Sequence, residues 1–390
     1  MLPAPRAWCG HHNRSIATGT HMSTTTAPAR RLKKPGVAAT TWIDTFLVVF
    51  RVLALLVIAI GLVKFGIAFA KGETVSGAQL LNLVVAGLAQ GSMYGLIALG
   101  YSMVYGVLGF INFAHGEVFM AGAVAGFVVA DATARVGMWE SAFPLALLIV
   151  MASAVLVSTG TAVLLEKIAY RRLRGSPRLI SLITSIGASF FLQNLVLNMV
   201  GSAAKSYPVA PSWMTNRIEI GSVSFNGVQI FVIALALSSM YILNRFVTGT
   251  KTGRAMRAVA EDKEIAALMG IDVDKTIRLV FVVGGVMAGV AAVAWSLLIR
   301  QVSYIVGFIP GIKAFTAAVV GGIGNLVGAM AGGLFLGTIE SVGPQMILEP
   351  LGIPAASQLK NVIAFGVLVL VLLFKPAGLF GELVGSENRA

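Results

Sequence analysis

The one histidine beyond residue 44, His115, lies between a carboxamide and a carboxylate in the run Asn112-Phe113-Ala114-His115-Gly116-Glu117. Long apolar stretches flank this run on both sides. Ionisable side chains inside membrane segments are costly, and by default they face a bundle interior or a solute pathway. Asn112, His115 and Glu117 are therefore a candidate translocation path. At a helix end in the headgroup layer the same groups would only cap or pair locally, and spacing alone leaves both placements open.

A second polar stretch covers residues 251–275, KTGRAMRAVAEDKEIAALMGIDVDK. From Gly253 to Met269 the composition predicts a short amphipathic helix bearing Arg254, Arg257, Glu261, Asp262, Lys263 and Glu264. Gly270 follows, and a left-handed glycine commonly ends a helix. A helix resting on lipid usually has a polar face dominated by Lys and Arg. This one mixes acids with bases, which suits a docking surface for a soluble partner.

No enzyme chemistry is spelled out elsewhere. The chain lacks the glycine-rich loop ending in Lys-Ser/Thr that cradles nucleotide phosphates, and Gly249–Gly253 has neither its spacing nor its ending. It lacks a His-Glu-x-x-His pair, and its single cysteine, Cys9, can make no internal disulfide. His11, His12 and His21 are scattered in a polar tail, so no metal and no cofactor is expected. Energy for uphill transport would have to come from another polypeptide or an ion gradient.

The elements that must position these residues are membrane helices. Only 12% of residues are charged and 57% are hydrophobic, with a mean hydropathy of +0.87. A soluble domain carries about 25% charged residues, so this chain cannot coat itself for water. Its apolar runs are continuous, whereas a barrel alternates over ~10-residue segments. The 44 glycines lie mostly inside those runs, as close helix packing in lipid requires. The fold class is all-α, a polytopic transmembrane helical bundle.

Crossings are expected at 45–70, 79–107, 112–131, 143–166, 179–200, 228–247, 277–299 and 359–374. The stretch 308–342 would span about 50 Å as one helix, against a hydrocarbon core of about 30 Å. Gly321-Gly322-Ile323-Gly324 breaks it into two short helices, for about ten crossings; one tilted helix would make nine. Ten crossings place the basic loops 167–178 and 248–275 in the cytoplasm with both termini, and the Lys/Arg-free stretch 343–358 outside.

Residues 1–44 read as a flexible basic cytoplasmic tail carrying Arg6, Arg14, Arg30, Arg31, Lys33 and Lys34. Residues 45–70 are an additional N-terminal helix. Ala68-Phe69-Ala70 resembles a signal-peptidase site, but Arg51 and Lys64 interrupt the run and its length exceeds a signal core, so a retained helix is expected. Residues 381–390 form a C-terminal tail. The net charge of +13 is concentrated in the tail and loops, without interleaved aromatics, so nucleic acid is not an expected partner.

Several long motifs carry a family resemblance: residues 91–106 (GSMYGLIALGYSMVYG), 111–117 (INFAHGE), 178–187 (RLISLITSIG), 253–262 (GRAMRAVAED) and 313–324 (KAFTAAVVGGIG). In this order they resemble the inner-membrane permeases of branched-chain amino acid ABC importers, specifically the H-type. The resemblance covers roughly residues 79–380, within a permease domain at 71–380. It implies that 251–275 is a coupling element docking on an ATPase, with Arg254, Arg257, Glu261, Asp262, Ala266, Ala267 and Gly270 in or beside the contact. It further implies two cytoplasmic ATPase subunits, a sister permease, a periplasmic substrate-binding protein and a small-molecule substrate, in the lipid of a bacterial inner membrane. The tail and the helix at 45–70 depart from the family pattern, which usually begins near Gly77.

Permeases for urea, amides or another small polar solute share such a scaffold and stand as an alternative. An ion-coupled secondary transporter or channel is an alternative of another class, with few buried ionisable groups to support it. A membrane enzyme has no nucleophile–base pair to build on.

Overall fold

The computed structural model describes residues 37–72, 75–173, 176–221 and 223–381. The tail at 1–36 and most of the C-terminal tail, 382–390, lie outside the described residues. The chain divides into two compact units at Val48. Residues 37–48 are helical, and from Val49 onward the chain is a helical bundle.

In chain order the elements are α1 (Val37–Ala70), α2 (Gly77–Leu108), α3 (His115–Arg135), α4 (Met138–Ser141), α5 (Phe143–Leu165) and α6 (Arg178–Val200). Then come β1 (Lys205–Ser206), α7 (Ser212–Thr215), β2 (Arg217–Ile220), β3 (Val223–Asn226) and α8 (Gly227–Gly249). The second half holds α9 (Lys251–Glu261), α10 (Lys263–Leu268), α11 (Val273–Ile299), β4 (Gln301–Val302), α12 (Phe308–Gly321), α13 (Leu326–Gly343) and α14 (Lys360–Phe374).

Local chemistry sets these boundaries. Ser76 and Gln79 form a reciprocal capping box that starts α2, and Gly109 ends it in the left-handed conformation at φ 75°. Asn226 with Gln229 starts α8 in the same way. Asp272 caps α11 and Asn325 caps α13, each accepting a backbone N–H of the first turn.

Among the described residues nine helices are long and apolar enough to cross a membrane. The tenth expected crossing, α12, has 14 residues and so is about 21 Å long, short of the ~30 Å core. The Gly-rich turn between α12 and α13 lies where the sequence places it, but α12 is a half-helix. The chain reaches its start through residues 300–307. Arg300 and β4 lie at one end of the bundle, where β4 pairs with β1 and Tyr207 N–H donates to the Arg300 carbonyl at 3.0 Å. The far end of α12 lies at the opposite end, where Leu379 and Phe380 N–H donate to the Val320 and Gly321 carbonyls at 2.8 and 3.0 Å. An irregular segment plus a half-helix therefore makes this pass.

Three further expectations are corrected. α1 starts at Val37, so residues 37–44, read as tail, are helical. Residues 201–227, which the crossings expected at 179–200 and 228–247 leave as a connection, hold α7, the β2–β3 ladder and β1, whose partner β4 lies at Gln301–Val302. α3 begins at His115, so Asn112 stands in the preceding loop and not inside a crossing.

α2 and α11 are the most buried helices, with α3, α5, α8, α12 and α13 packed around them. Between α2 and α13 glycines face each other. A Cβ on Gly91 would come within 2.6 Å of the Gly333 carbonyl oxygen and 2.8 Å of Leu334 Cα, so only glycine allows this approach. In lipid such close contact, not hydrophobic burial, holds helices together.

Candidate functional site

The loop 109–114 does not stop at the bundle end. His115 is buried, its imidazole lies against Gly100, and its ring meets Tyr101 edge-on at 4.8 Å between centroids. Gly100 stands eight residues before the Leu108 end of α2, or about 12 Å into the bundle. His115 thus lies inside the bundle and not at its surface: the run Asn112–Glu117 dips inward, and α3 starts inside.

The three polar residues of this run then part company. Asn112 accepts a hydrogen bond from the Tyr170 hydroxyl at 2.5 Å, which ties the loop to the turn after α5. His115 fills the slot left by Gly100 and Gly284, and its Nε2 finds no hydrogen-bond partner among the described residues. Glu117, 1% exposed, accepts from the Ser189 hydroxyl at 3.1 Å and from Gln193 Nε2 at 2.8 Å, both on Oε1. Its Oε2 has no hydrogen-bond partner among the described residues.

Beside Glu117 lies a cavity of about 280 Å³ lined by Tyr101, Phe113, Ser189, Phe190, Phe308 and Ile312, among others. Gly307 and Gly311 form its floor on the α12 side. A Cβ on Gly307 would sit 2.7 Å from Glu117 Oε2, and one on Gly311 3.0 Å from Gly116 Cα. The two glycines bring the start of the half-helix against the start of α3.

Ser189 and Gln193 were not singled out from the sequence, although a signal existed. Ser181, Ser185, Ser189 and Gln193 recur every four residues along α6 and all four are buried. This is a buried polar stripe on one face of α6. Lys313 and Glu340 were missed too. They form a buried ion pair between α12 and α13, with Tyr94 and Gln90 of α2 completing the network.

The expected coupling stretch is two helices and a loop, not one helix. Asp262, at φ −151° and ψ 118°, breaks α9 from α10, and its carboxylate caps α10 by accepting from Glu264 and Ile265 N–H at 2.8 and 2.9 Å. Asp is a strong N-cap, which overrides the continuous helical composition. Gly270 adopts φ +82° and closes α10, as expected; residues 273–275 already belong to α11. Met256, Val259 and Ala266 face the bundle, so Ala266 anchors the pair without being displayed. Arg254, Arg257, Glu261, Asp262, Ala267 and Gly270 are exposed. Beside them Leu268 and Met269 are 86% and 77% exposed. The pair sits at the Leu108 end of the bundle, where Lys263 Nζ donates to the Leu108 carbonyl at 3.5 Å.

A multi-pass helical bundle with a half-helix, a largely apolar cavity holding one buried carboxylate and a charged helix pair displayed at one end has the build of a membrane transport subunit. The family model described as "Branched-chain amino acid transport system / permease component" matches residues 83–372, and the chain belongs to that family. It is 42% identical over 307 residues to the high-affinity branched-chain amino acid transport system permease protein BraD of Pseudomonas aeruginosa, covering 77% of this chain and 96% of that one. To the corresponding permease protein LivH of Salmonella typhimurium it is 39% identical over 304 residues, with the same coverage of 77% and 96%. LivH of Escherichia coli K12 gives the same identity and coverage, 39% over 304 residues, 77% and 96%.

Proposed function

We propose that this chain is the permease subunit of an ATP-binding-cassette importer in a bacterial inner membrane, carrying branched-chain or related amino acids. It works as a transport subunit without catalysis of its own. A sister permease completes the path, two cytoplasmic ATPase subunits drive it, and a periplasmic substrate-binding protein delivers the solute. Residues 71–380 form the permease domain, and residues 45–70 are an additional helix ahead of it.

The observation that carries the proposal is the α9–α10 pair. It displays both signs of charge beside bare Leu268 and Met269, at the end of the bundle that holds the basic loops. The buried Met256, Val259 and Ala266 fix the pair to the bundle, so a push on its surface is transmitted to α8 and α11. Both termini face the cytoplasm in this arrangement, since basic loops stay inside.

The experiment is gentle purification of the tagged protein from its native membrane, with identification of what accompanies it. Two ATPase subunits and a second permease are expected. A lone protein or homo-oligomer, in a detergent known to preserve such assemblies, would instead favour a secondary transporter or channel.

A further inference from the structure

Among the described residues Glu117 is the one acidic side chain lining the cavity between α3, α6 and α12, and half of its carboxylate is unspent. Oε1 takes two hydrogen bonds from Ser189 and Gln193, while Oε2, buried, takes none among the described residues. A buried carboxylate oxygen without a donor is costly, and a cation or a donor in the cavity relieves that cost. Ser189 and Gln193 hold the group in place, and Gly307 leaves it room toward the start of α12.

Three features of the same cavity narrow the ligand. First, the remaining lining is apolar and aromatic, with Phe113, Ile186, Phe190, Phe308 and Ile312. Second, at about 280 Å³ it lies just below the ~300 Å³ where pockets for larger ligands begin. Third, the first turn of α12 forms one wall, and the positive end of a helix dipole favours an anionic group there. Broken helices inside transporters present their N-termini to anionic substrate groups in this manner. A small solute with an ammonium, a carboxylate and a compact hydrocarbon side chain satisfies all three.

We propose that this cavity is an intramembrane recognition site for the α-amino acid in transit, with Glu117 Oε2 taking its ammonium, the first turn of α12 its carboxylate, and the apolar wall its side chain. The inference rests on the importer function proposed above and deepens it. The permease itself then reads the amino group, in addition to any selection by a delivering protein. A sugar would leave the apolar wall unused. A metal ion would find a single carboxylate, too few ligands to hold it.

The test uses the whole solubilised complex, without its binding protein, and radiolabelled leucine as the probe. Wild type should retain the label; leucinamide, which keeps the ammonium, should compete, and 4-methylpentanoate, which lacks it, should not. Glu117→Gln keeps the size of the group and its Oε1 contacts while removing the charge, and should weaken retention at least about tenfold, the equivalent of about 1.4 kcal/mol. Equal retention by Glu117→Gln, equal competition by 4-methylpentanoate, or no retention by a wild-type complex that imports leucine would each overturn the site. Should Glu117→Gln fail to assemble, Ile312→Trp fills the cavity without touching the carboxylate and decides the matter: retention falls if the site is real and is unchanged if it is not. A wild-type complex that imports no leucine when its binding protein is added would count against the proposed function and not against the cavity's chemistry.

Discussion

Lys313 of α12 and Glu340 of α13 are ion-paired inside the bundle, with side chains only 6% and 2% exposed. Gln90 Nε2 donates to Tyr94 Oη at 2.7 Å and to Glu340 Oε1 at 3.3 Å, so α2 joins the pair. The half-helix α12 is largely buried, and this network ties it to two long neighbours. Breaking one member of a buried pair leaves an uncompensated charge, at a cost of about 3–5 kcal/mol, whereas replacing both by apolar groups is often close to neutral.

Lys313→Met alone should therefore lower the thermal unfolding midpoint in detergent strongly. Lys313→Met with Glu340→Met should recover most of the loss. Equal destabilisation by the single and double variants would show that the pair is not what holds α12.

Gly270 at φ +82° closes α10 in a conformation that β-branched residues strongly disfavour. Gly270→Val should insert and assemble, since the position is exposed and an added Cβ would meet nothing within 4 Å. ATP hydrolysis should then continue with uptake reduced severalfold. Unchanged uptake in proteoliposomes would argue against a coupling role for this turn.

Leu268 is 86% exposed on the α9–α10 pair, and an apolar group so placed is an anchor for a partner. Leu268→Asp should reduce recovery of ATPase subunits in co-purification by about tenfold or more, the effect of losing about 1.4 kcal/mol of binding. Recovery at the wild-type level would place the docking surface elsewhere.

The α2–α13 contact should tolerate no side chain at Gly91, because any Cβ meets the backbone of Gly333 and Leu334. Gly91→Val should shift most of the protein to aggregate in size-exclusion chromatography. Gly66→Val on α1, where a Cβ meets nothing within 4 Å, is the matched control and should remain monodisperse. A monodisperse Gly91→Val protein would refute the close approach.

The helices that span most of the core were legible because each carries its own signal. Continuous apolar runs mark α2, α8 and α11; Ser76, Asn226 and Asp272 cap their starts, and Gly109 ends α2. The Gly-rich turn at 321–324 was legible for the same reason. Asp262 misled, because one residue with a carboxylate that can cap splits a stretch whose average composition is helical.

The candidate site was half legible. Glu117 stood out as an acid among apolar residues, and the stripe Ser181, Ser185, Ser189, Gln193 was present in the sequence to be read. Lys313 and Glu340 each looked like an isolated charge, because partners 27 residues apart meet only once α12 and α13 fold back as a hairpin.

By itself the sequence determined the class, a multi-pass helical membrane protein, and most of its helix boundaries, because hydropathy and capping act between neighbours in the chain. It also determined the family, through long motifs kept in order. Only the tertiary structure decided that the loop before His115 dips into the bundle, that α12 is a half-helix meeting α3 at Gly307 and Gly116, and that one oxygen of Glu117 is left facing a cavity. Those facts depend on how closely distant helices approach and on which polar atoms find partners. Such distances arise from packing between segments far apart in sequence, and no local pattern encodes them.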